Sequence, residues 1–230
     1  MKNLNQIYNA YQKSSGVSID SRSIKKGNLF FALKGPNFDG NKFAKAALES
    51  GASCAVIDNP NFNEIGRNVF FVEDSLLALQ KLALHHRKQQ EIPIIAITGS
   101  NGKTTTKELI REVLSQKFLV HSTHGNMNNH IGVPITILQI SKNHEVVIIE
   151  MGASHQNEIE KLCSIAQPNW GYITNFGKAH LEGFGSEEGV ISGKSELYEY
   201  LGKNKGKILV NKDDLIQVDK TKKYTRFFFG

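Results

Sequence analysis

The stretch from residue 92 to residue 106, IPIIAITGSNGKTTT, constrains the fold of this chain more than any other segment. It opens with a short run of β-branched residues, typical of a buried strand, and continues into a glycine-containing turn. Residues 107–114 then have the spacing and composition of a helix. A strand, a glycine turn and a helix N-terminus in this order create an anion site, because backbone N–H groups and the helix dipole point at the turn. The stretch therefore predicts a site for nucleotide phosphates.

The residue types inside this turn fit phosphate binding individually. Gly99 and Gly102 allow the backbone to fold tightly around a phosphate. Lys103 can bridge phosphate oxygens, and the Thr104 hydroxyl can ligate the Mg²⁺ that accompanies ATP. The complete P-loop pattern has a further glycine five positions before Gly102, and Ile97 occupies that position. The pattern is thus GxxGKT, and the alternative is a Gly-Lys-Thr sequence that only turns a strand into a helix.

Composition limits the classes of protein to which the chain can belong. With 230 residues, 40% hydrophobic and 22% charged, a soluble globular protein of one or two domains is expected. The net charge of +6 suits phosphate-bearing substrates, but the lysines lack interleaved aromatic residues, so nucleic-acid binding is not expected. Because no signal-peptide or bilayer-length apolar run is seen, no membrane insertion is expected either. Cys54 and Cys163 lack CxxC partners, which indicates buried, reduced thiols and a cytoplasmic location.

Hydrophobic periodicity divides the chain into two α/β units, residues 1–90 and 91–230. In the first unit we predict helices at 4–11, 43–50 and 75–88, strands at 29–33, 54–57 and 69–72, and a loop at 35–40. In the second we predict strands at 93–97, 118–121, 145–150, 170–174 and 207–210, and helices at 107–114, 157–165 and 187–201. This alternation predicts a mostly parallel sheet covered on both faces, with ligands at the carboxyl ends of its strands.

Two polar residues fall at such strand ends. Glu150 follows four apolar residues directly, where an acid can hold the Mg²⁺ that bridges ATP phosphates; the alternative is an ordinary strand-end carboxylate. His180 lies just past the 170–174 strand, which suits a metal or phosphate role, although a single histidine is more often structural or exposed. Composition alone gives no reason to select Lys194, which lies inside an ordinary predicted helix.

Several long motifs occur in one order along the chain. They are DSRSIKKGNLFFALKGPNFDG at 20–40, ITGSNGKTTTK at 97–107, GNMNNHIGVPITIL at 125–138, EMGASHQNEIEKL at 150–162 and TNFGKAHLEGFGSEEGV at 174–190. Together they resemble the Mur ligases of peptidoglycan synthesis, whose ATP loop also lacks the first P-loop glycine. The last three motifs favour the branch that adds a D-Ala-D-Ala dipeptide. The resemblance implies a small N-terminal α/β substrate domain followed by an incomplete P-loop central domain with a mostly parallel sheet.

The resemblance also implies roles for individual residues. The residues implied around the ATP phosphates are Gly99, Ser100, Asn101, Gly102, Lys103, Thr104 and Thr105. Thr104 and Glu150 are implied to hold one Mg²⁺, and His180 a second. Lys194, in GKSELY, matches a family lysine that CO₂ converts to a carbamate, an anion able to help bind metal. Lys103, Glu150, His180 and Lys194 together form the implied catalytic set.

The implied substrate contacts lie in both units. Ser21 and Arg22 match the segment that contacts the uridine part of UDP-MurNAc-tripeptide. Asn128 and Asn129 match the region that places the sugar-peptide near the γ-phosphate. The implied reaction is ATP-driven amide formation with D-Ala-D-Ala through an acyl phosphate, catalysed by a monomer.

Some expectations stay open. Because family members continue into a third domain, we expect this chain to be an N-terminal portion that binds ATP weakly and ligates little or nothing. A related ligase is one alternative, either the one adding the third peptide residue or a folate polyglutamylating enzyme. The other is a non-catalytic fragment that only binds nucleotide or UDP-sugar. A GTPase is disfavoured because the sequence has no NKxD motif.

Overall fold

A computed structural model describes the backbone of residues 3–65 and 68–230, and the side chains in those ranges except those of residues 63–65. The chain divides into two units, Met1–His86 and Arg87–Gly230. The sequence predicts this boundary near residue 90, and the separate function predicted for each unit stays a prediction. In the described ranges, no helix has both the length and the apolar composition needed to cross a bilayer.

The strands of the first unit are β1 Val17–Ser18, β2 Leu29–Phe31, β3 Lys34–Gly35, β4 Phe38–Asp39, β5 Cys54–Ile57 and β6 Val69–Phe71. Its helices are α1 Leu4–Lys13, α2 Ala44–Glu49 and α3 Ser75–Lys88, with 3₁₀ turns at Ser21–Ser23, Gly40–Phe43 and Pro60–Ile65. Four of the strands form a parallel sheet in the order β1-β2-β5-β6. The core is formed by side chains from these strands and from α2, among them Phe30, Ala47 and Ile57.

Two expectations for this unit need correction. Residues 35–40 do not form a plain loop, because β3 and β4 pair as a short antiparallel hairpin with Pro36 and Asn37 at its turn. Gly40 ends the hairpin against the backbone of Leu33, where a Cβ would lie 2.8 Å from the Leu33 nitrogen. The second correction concerns Cys54, which is only partly buried, whereas Cys163 in the other unit is fully buried.

Asp58, directly after β5, is a hydrogen-bond centre at the carboxyl edge of this sheet. Its carboxylate accepts from Lys34 Nζ at 2.8 Å, from Asn41 Nδ2 at 2.9 Å and from the Ser75 N–H and hydroxyl at 3.1 and 3.0 Å. Burial raises the pKa of Asp58, but these donors outweigh burial and hold that pKa below its ordinary value. The carboxylate therefore stabilises the fold above its unfolded-state pKa, and this stabilisation is lost as pH falls through the folded-state pKa.

We expect Asp58→Ala to lower the free energy of unfolding of this unit by about 2 kcal/mol at pH 7, because buried donors of Ser75 and Asn41 lose an acceptor. The matched control is Asp20→Ala, since Asp20 pairs with Arg22 at 2.8 Å at a solvent-exposed site, and it should change stability much less than Asp58→Ala does. Urea unfolding measures both, and the Asp58→Ala deficit should shrink as pH falls below about 4. Equal effects of the two substitutions at pH 7 would contradict this account.

The strands of the second unit are β7 Ile94–Thr98, β8 Val120–Ser122, β9 Val146–Glu150, β10 Trp170–Ile173, β11 Lys207–Asn211 and β12 Arg226–Phe229. They form a six-stranded sheet in the order β12-β11-β10-β7-β9-β8, with every neighbouring pair parallel. Its helices are α4 Lys103–Ser115, α5 Gly132–Leu138, α6 Glu158–Ala166, α7 Leu181–Phe184, α8 Glu187–Lys203 and α9 Leu215–Lys220. The chain leaves β7 toward β8 and β9 on one side and later returns to β10 on the other, which makes the end of β7 the switch point of the sheet.

Local differences from the sequence-based elements concern helix boundaries and type. Helix α4 begins at Lys103, not at residue 107, so the phosphate turn leads straight into the helix. Residues 132–138, to which periodicity gave no type, form helix α5. Every residue of α5 is buried, which explains why the segment shows no amphipathic pattern.

Candidate nucleotide-binding site

The turn between β7 and α4 owes its shape to two glycines. Gly99 has φ 141° and Gly102 has φ 76°, both in the region that favours glycine. A Cβ on Gly99 would collide with the Thr174 hydroxyl and lie 2.9 Å from the Thr174 nitrogen. A Cβ on Gly102 would meet nothing within 4 Å. The turn is thus packed closely at Gly99 and open at Gly102, where the N-terminus of α4 faces outward.

The segment after β10 holds this turn in place through hydrogen bonds. The Ser100 N–H and hydroxyl donate to the carbonyl oxygens of Asn175 and Gly177, at 3.1 and 2.7 Å. The Asn101 carbonyl accepts from the Thr174 hydroxyl at 2.6 Å and from the Asn175 amide at 3.0 Å. Residues 174–177 therefore fix the phosphate turn, a role that sequence reasoning missed. The signal was the TNFG start of the last motif.

Lys103, the first residue of α4, folds back over the turn. Its ammonium donates to the carbonyl oxygens of Gly99 and Ser100 at 2.9 and 3.2 Å. Burial lowers the pKa of Lys103, and the charge of Glu150 partly offsets this effect. The predicted phosphate-binding lysine is thus held beside the turn that would carry the phosphates. Thr105 is exposed in the same helical turn.

Glu150 is almost completely buried at the end of β9, the strand next to β7. One carboxylate oxygen accepts from the Thr104 hydroxyl at 2.9 Å, and the other accepts from the Asn128 amide at 2.7 Å. The backbone N–H of Glu150 donates to the Thr123 hydroxyl at 3.0 Å. The structure therefore joins three predicted site residues, Thr104, Asn128 and Glu150, in one hydrogen-bonded group.

A buried lysine that sequence reasoning also missed supports this group. Lys107 is fully buried on α4 and donates to the Thr123 carbonyl at 2.6 Å, with Glu108 as an ion-pair partner at 2.9 Å. Thr123 in turn accepts from the Glu150 backbone. Lys107 thus ties α4 to the end of β8 beneath the carboxylate. Only its place in the TTTK sequence after the turn could have pointed to it.

The Thr104–Glu150 pair fits a magnesium ion. Hydroxyl and carboxylate oxygens are ligands that Mg²⁺ prefers, and the two groups already lie within 2.9 Å of each other. Among the described residues, no three His, Cys, Asp or Glu side chains form a ready-made metal cluster. This agrees with the usual binding of Mg²⁺ through one or two protein oxygens together with substrate phosphates and waters.

His180 lies in the same unit, at the start of α7. It has φ 56°, directly precedes α7, and lines an open cleft of about 580 Å³ with Ser154, His155 and Lys178. Within the described part of the chain, no hydrogen bond or ion pair links His180 to Glu150 or to Lys194. The structure therefore does not join His180 to the Thr104–Glu150 pair, and its role as ligand to a second metal stays a prediction.

Lys194 is a buried amine in the middle of α8. It is 1% exposed, its ammonium lies 5.4 Å from the centre of the Phe184 ring, and no described residue accepts a hydrogen bond from it. Burial lowers the pKa of Lys194 to about 8, and the nearby positive charge of Lys103 contributes. Lys194 therefore has a larger neutral fraction near pH 7 than an exposed lysine, and the neutral amine is the form that reacts with CO₂.

The remaining predicted residues occupy other positions. Ser21 and Arg22 lie in the 3₁₀ turn of the first unit, where the exposed Arg22 guanidinium donates twice to Asp20, at 2.9 and 2.8 Å. Asn129 uses its side-chain oxygen to accept from the N–H groups of Ile131 and Gly132, at 3.0 and 2.9 Å. Asn129 therefore holds the start of α5, whereas its neighbour Asn128 contacts the carboxylate.

Comparison with known proteins decides which family carries this arrangement. A family model for the Mur ligase middle domain matches residues 97–230, which include the phosphate turn and Glu150. The chain belongs to the Mur ligase family. A second model, described as the Mur ligase family catalytic domain, matches residues 13–87. The family inferred from the motifs is confirmed.

Individual relatives agree with this assignment. UDP-N-acetylmuramoyl-tripeptide–D-alanyl-D-alanine ligase of Bacillus subtilis is 40% identical over 204 residues, covering 88% of this chain and 44% of the relative. The Escherichia coli protein of the same name is 39% identical over 198 residues, covering 86% of this chain and 43% of the relative. This Mur ligase chain thus spans less than half the length of these relatives.

Solved structures confirm the α/β fold class. MurF from Acinetobacter baumannii matches with a TM-score of 0.87 and 33% identity, over 99% of this chain and 53% of that one. MurF ligase from Thermotoga maritima, solved in complex with ADP, matches with a TM-score of 0.86 and 34% identity, over 96% and 51%.

Proposed function

We propose that this Mur ligase chain supplies the ATP-binding and UDP-substrate-binding units of an enzyme that adds D-Ala-D-Ala to UDP-MurNAc-tripeptide. The observation that carries the proposal is the meeting of the Gly99–Gly102 turn, Lys103 and the Thr104–Glu150 pair at the end of adjacent strands. Relatives that bear the name of this ligase at about 40% identity support the choice of substrates.

The reaction would proceed in two steps. The terminal carboxylate of the tripeptide attacks the γ-phosphorus of ATP, which gives an acyl phosphate and ADP. The amine of D-Ala-D-Ala then attacks the acyl carbon, phosphate leaves, and loss of the amine proton gives the amide. Both steps gather negative charge on phosphate oxygens, so catalysis depends on positive charge and N–H donors placed there in advance.

The residues of this chain would divide that work. Lys103 and the N-terminus of α4 would neutralise phosphate oxygens, and Asn128 would orient the Glu150 carboxylate. Thr104 and Glu150 would hold Mg²⁺, which when bound adds positive charge at the phosphates. In the first unit, Ser21 and Arg22 would contact the uridine.

The other proposed contributions are those of Asn129 and His180. Asn129 would stand beside Asn128 at the sugar-peptide, and His180 would bind a second Mg²⁺. We further propose that the enzyme acts as a monomer in the cytoplasm, where its nucleotide substrates are made.

Lys194 would become a carbamate. Burial and the positive charge of Lys103 favour the neutral amine of Lys194. The carbamate would be negatively charged, so Lys103 would attract it, whereas Lys103 repels the ammonium form of Lys194. With ¹³C-labelled bicarbonate, we expect a carbamate NMR signal that grows as pH rises through about 8 and then levels off. The signal should be absent in Lys194→Met and present in Lys161→Met, an exposed lysine of α6. A signal of equal size in both variants, or one without pH dependence, would reject the assignment.

The proposed function is tested by separating binding from turnover. Calorimetry should show that the chain binds Mg²⁺-ATP and UDP-MurNAc-tripeptide, each with its own stoichiometric site. ADP release should then be measured with both ligands and bicarbonate, with and without D-Ala-D-Ala. Release that depends on D-Ala-D-Ala would establish the ligase within these residues. Binding of both ligands without release would assign the binding functions alone, and binding of neither would refute the proposal.

A further inference from the structure

Helix α4 buries a lysine and exposes a leucine and a valine, which reverses the usual placement of these residue types. Lys107 is 0% exposed, whereas Leu109 is 63% and Val113 is 70% exposed. Among the residues of α4, all of which the structure describes, Lys107 alone is buried. Burying an ammonium group costs free energy even when the group is paired, so an apolar side chain would suit the core better. The contacts of the Lys107 ammonium must therefore explain why a lysine lies there.

The Lys107 ammonium holds the residue that follows β8. It donates to the Thr123 carbonyl at 2.6 Å. The Thr123 N–H donates to the Ile148 carbonyl of β9 at 3.0 Å, and the Thr123 hydroxyl accepts from the Glu150 N–H at 3.0 Å. Thr123 thus contacts β9 twice, once at each end of the Ile148–Glu150 segment. The contact from Lys107 adds α4 to this arrangement.

These contacts close a ring around the proposed metal pair. Lys107 lies about one helical turn after Thr104 on α4. The Thr104 hydroxyl reaches the Glu150 carboxylate at 2.9 Å, and the Glu150 backbone leads through Thr123 and Lys107 back to α4. Mg²⁺ demands near-ideal octahedral geometry with oxygens at about 2.0–2.1 Å, so its affinity depends on how closely two protein oxygens are placed. A ring that fixes α4 against the end of β9 also fixes these two oxygens relative to each other.

We propose that Lys107 and Thr123 are positioning residues that set the affinity of the nucleotide site for Mg²⁺. This assignment rests on the proposed function, in which Thr104 and Glu150 hold the ion. Lys107 would act from outside the set of ligands, by keeping Thr123 in place behind the Glu150 backbone. Contacts of this kind change metal affinity by about 10–100-fold when they are removed. Glu108, at 2.9 Å, compensates the charge of Lys107, so the ammonium can stay buried.

Titration of the 230-residue chain with ATP, once with Mg²⁺ and once with EDTA, tests this assignment. The ratio of the two affinities measures what the bound ion contributes. Lys107→Met keeps a long side chain in the buried position and removes the ammonium group. We expect it to lower the ratio by about tenfold, because Mg²⁺-ATP binding weakens while ATP binding in EDTA is unchanged. Lys161→Met, at an exposed position of α6, should leave both affinities unchanged.

Two substitutions of Thr123 test the same contacts from the other side. Thr123→Val removes the hydroxyl that accepts from Glu150 and keeps the shape of the side chain, whereas Thr123→Ser keeps the hydroxyl. Valine should lower the ratio as Lys107→Met does, and serine should leave it nearly unchanged. Combining Lys107→Met with Thr123→Val should lower the ratio by less than the product of the two single effects, because both act through one set of contacts.

Amide hydrogen exchange without nucleotide gives a readout that does not depend on Mg²⁺. In Lys107→Met, the Glu150 N–H should exchange several-fold faster, because its acceptor Thr123 is held less firmly. The Val147 N–H, which donates to the Pro93 carbonyl at 3.0 Å near the start of β9, should exchange as before. Equal acceleration of both amides would mean a general loosening of the sheet and would overturn the positioning role.

The titrations also separate this assignment from the proposed function. If Mg²⁺ did not strengthen ATP binding in the unsubstituted chain, the metal pair would be wrong and the positioning role with it. If Mg²⁺ strengthened binding equally in the unsubstituted chain and in Lys107→Met, the positioning role alone would be wrong. Weakening of ATP binding to the same extent with Mg²⁺ and with EDTA would likewise reject it, since that result indicates damage to the phosphate turn.

Discussion

Replacing Lys103 with alanine is expected to weaken Mg²⁺-ATP binding by about a hundredfold and to remove turnover from any assembly in which this chain is active. Lys103 lies over the turn, with its ammonium 2.9 Å from the Gly99 carbonyl. Charged hydrogen bonds to phosphate are worth about 1.5–3 kcal/mol each, and a hundredfold loss corresponds to about 2.7 kcal/mol. Calorimetric titration with Mg²⁺-ATP measures the effect directly.

Lys161→Ala is the matched control, because it removes the same charge from an exposed position on α6. It should leave ATP binding unchanged. Lys103→Ala should not destabilise the fold at pH 7. Burial lowers the pKa of Lys103, which means that its charged ammonium group lowers the stability of the folded state. It should also leave UDP-MurNAc-tripeptide binding nearly intact if uridine binds at Ser21 and Arg22 in the other unit. Equal ATP affinities of the two variants would reject the phosphate role of the turn.

Replacing Gly99 with alanine is expected to destabilise the second unit by about 3 kcal/mol and to abolish measurable nucleotide binding. The φ of 141° is a conformation that costs other residues about 1–3 kcal/mol. The added Cβ also collides with Thr174, whose backbone nitrogen would lie 2.9 Å away and belongs to the sheet. To remove this collision, the turn and β10 must move apart, which breaks the hydrogen bonds that residues 174–177 make with Ser100 and Asn101. Chemical unfolding and ATP titration follow both effects.

Gly125→Ala provides the comparison for Gly99→Ala. Gly125 also has a positive φ, of 54°, but a Cβ there would meet nothing within 4 Å. Its cost should be limited to the backbone preference, about 1 kcal/mol. Adding Thr174→Ala to Gly99→Ala should recover only part of the loss, because the clash with the backbone nitrogen remains. If Gly99→Ala lowered the free energy of unfolding no more than Gly125→Ala does, the explanation from close packing at the turn would be wrong.

The sequence by itself determined the local elements of the nucleotide site. The apolar run, the glycines and Lys103 specify a strand, a turn and a helix because each depends on neighbours within a few residues. The same holds for Glu150, which ends a strand as its apolar run predicts. The long motifs also determined the family, which local periodicity could not have given.

Only the tertiary structure decided which groups meet at the site. Asn128 contacts Glu150, and residues 174–177 form hydrogen bonds with the phosphate turn, because β9 and β10 lie on either side of β7. That strand order depends on how the helices pack across the whole sheet, and no short pattern encodes it. For the same reason, the buried state of Lys107 could not be recognised in the sequence. Burial is a property of the assembled core, and the chemistry of this side chain follows from it.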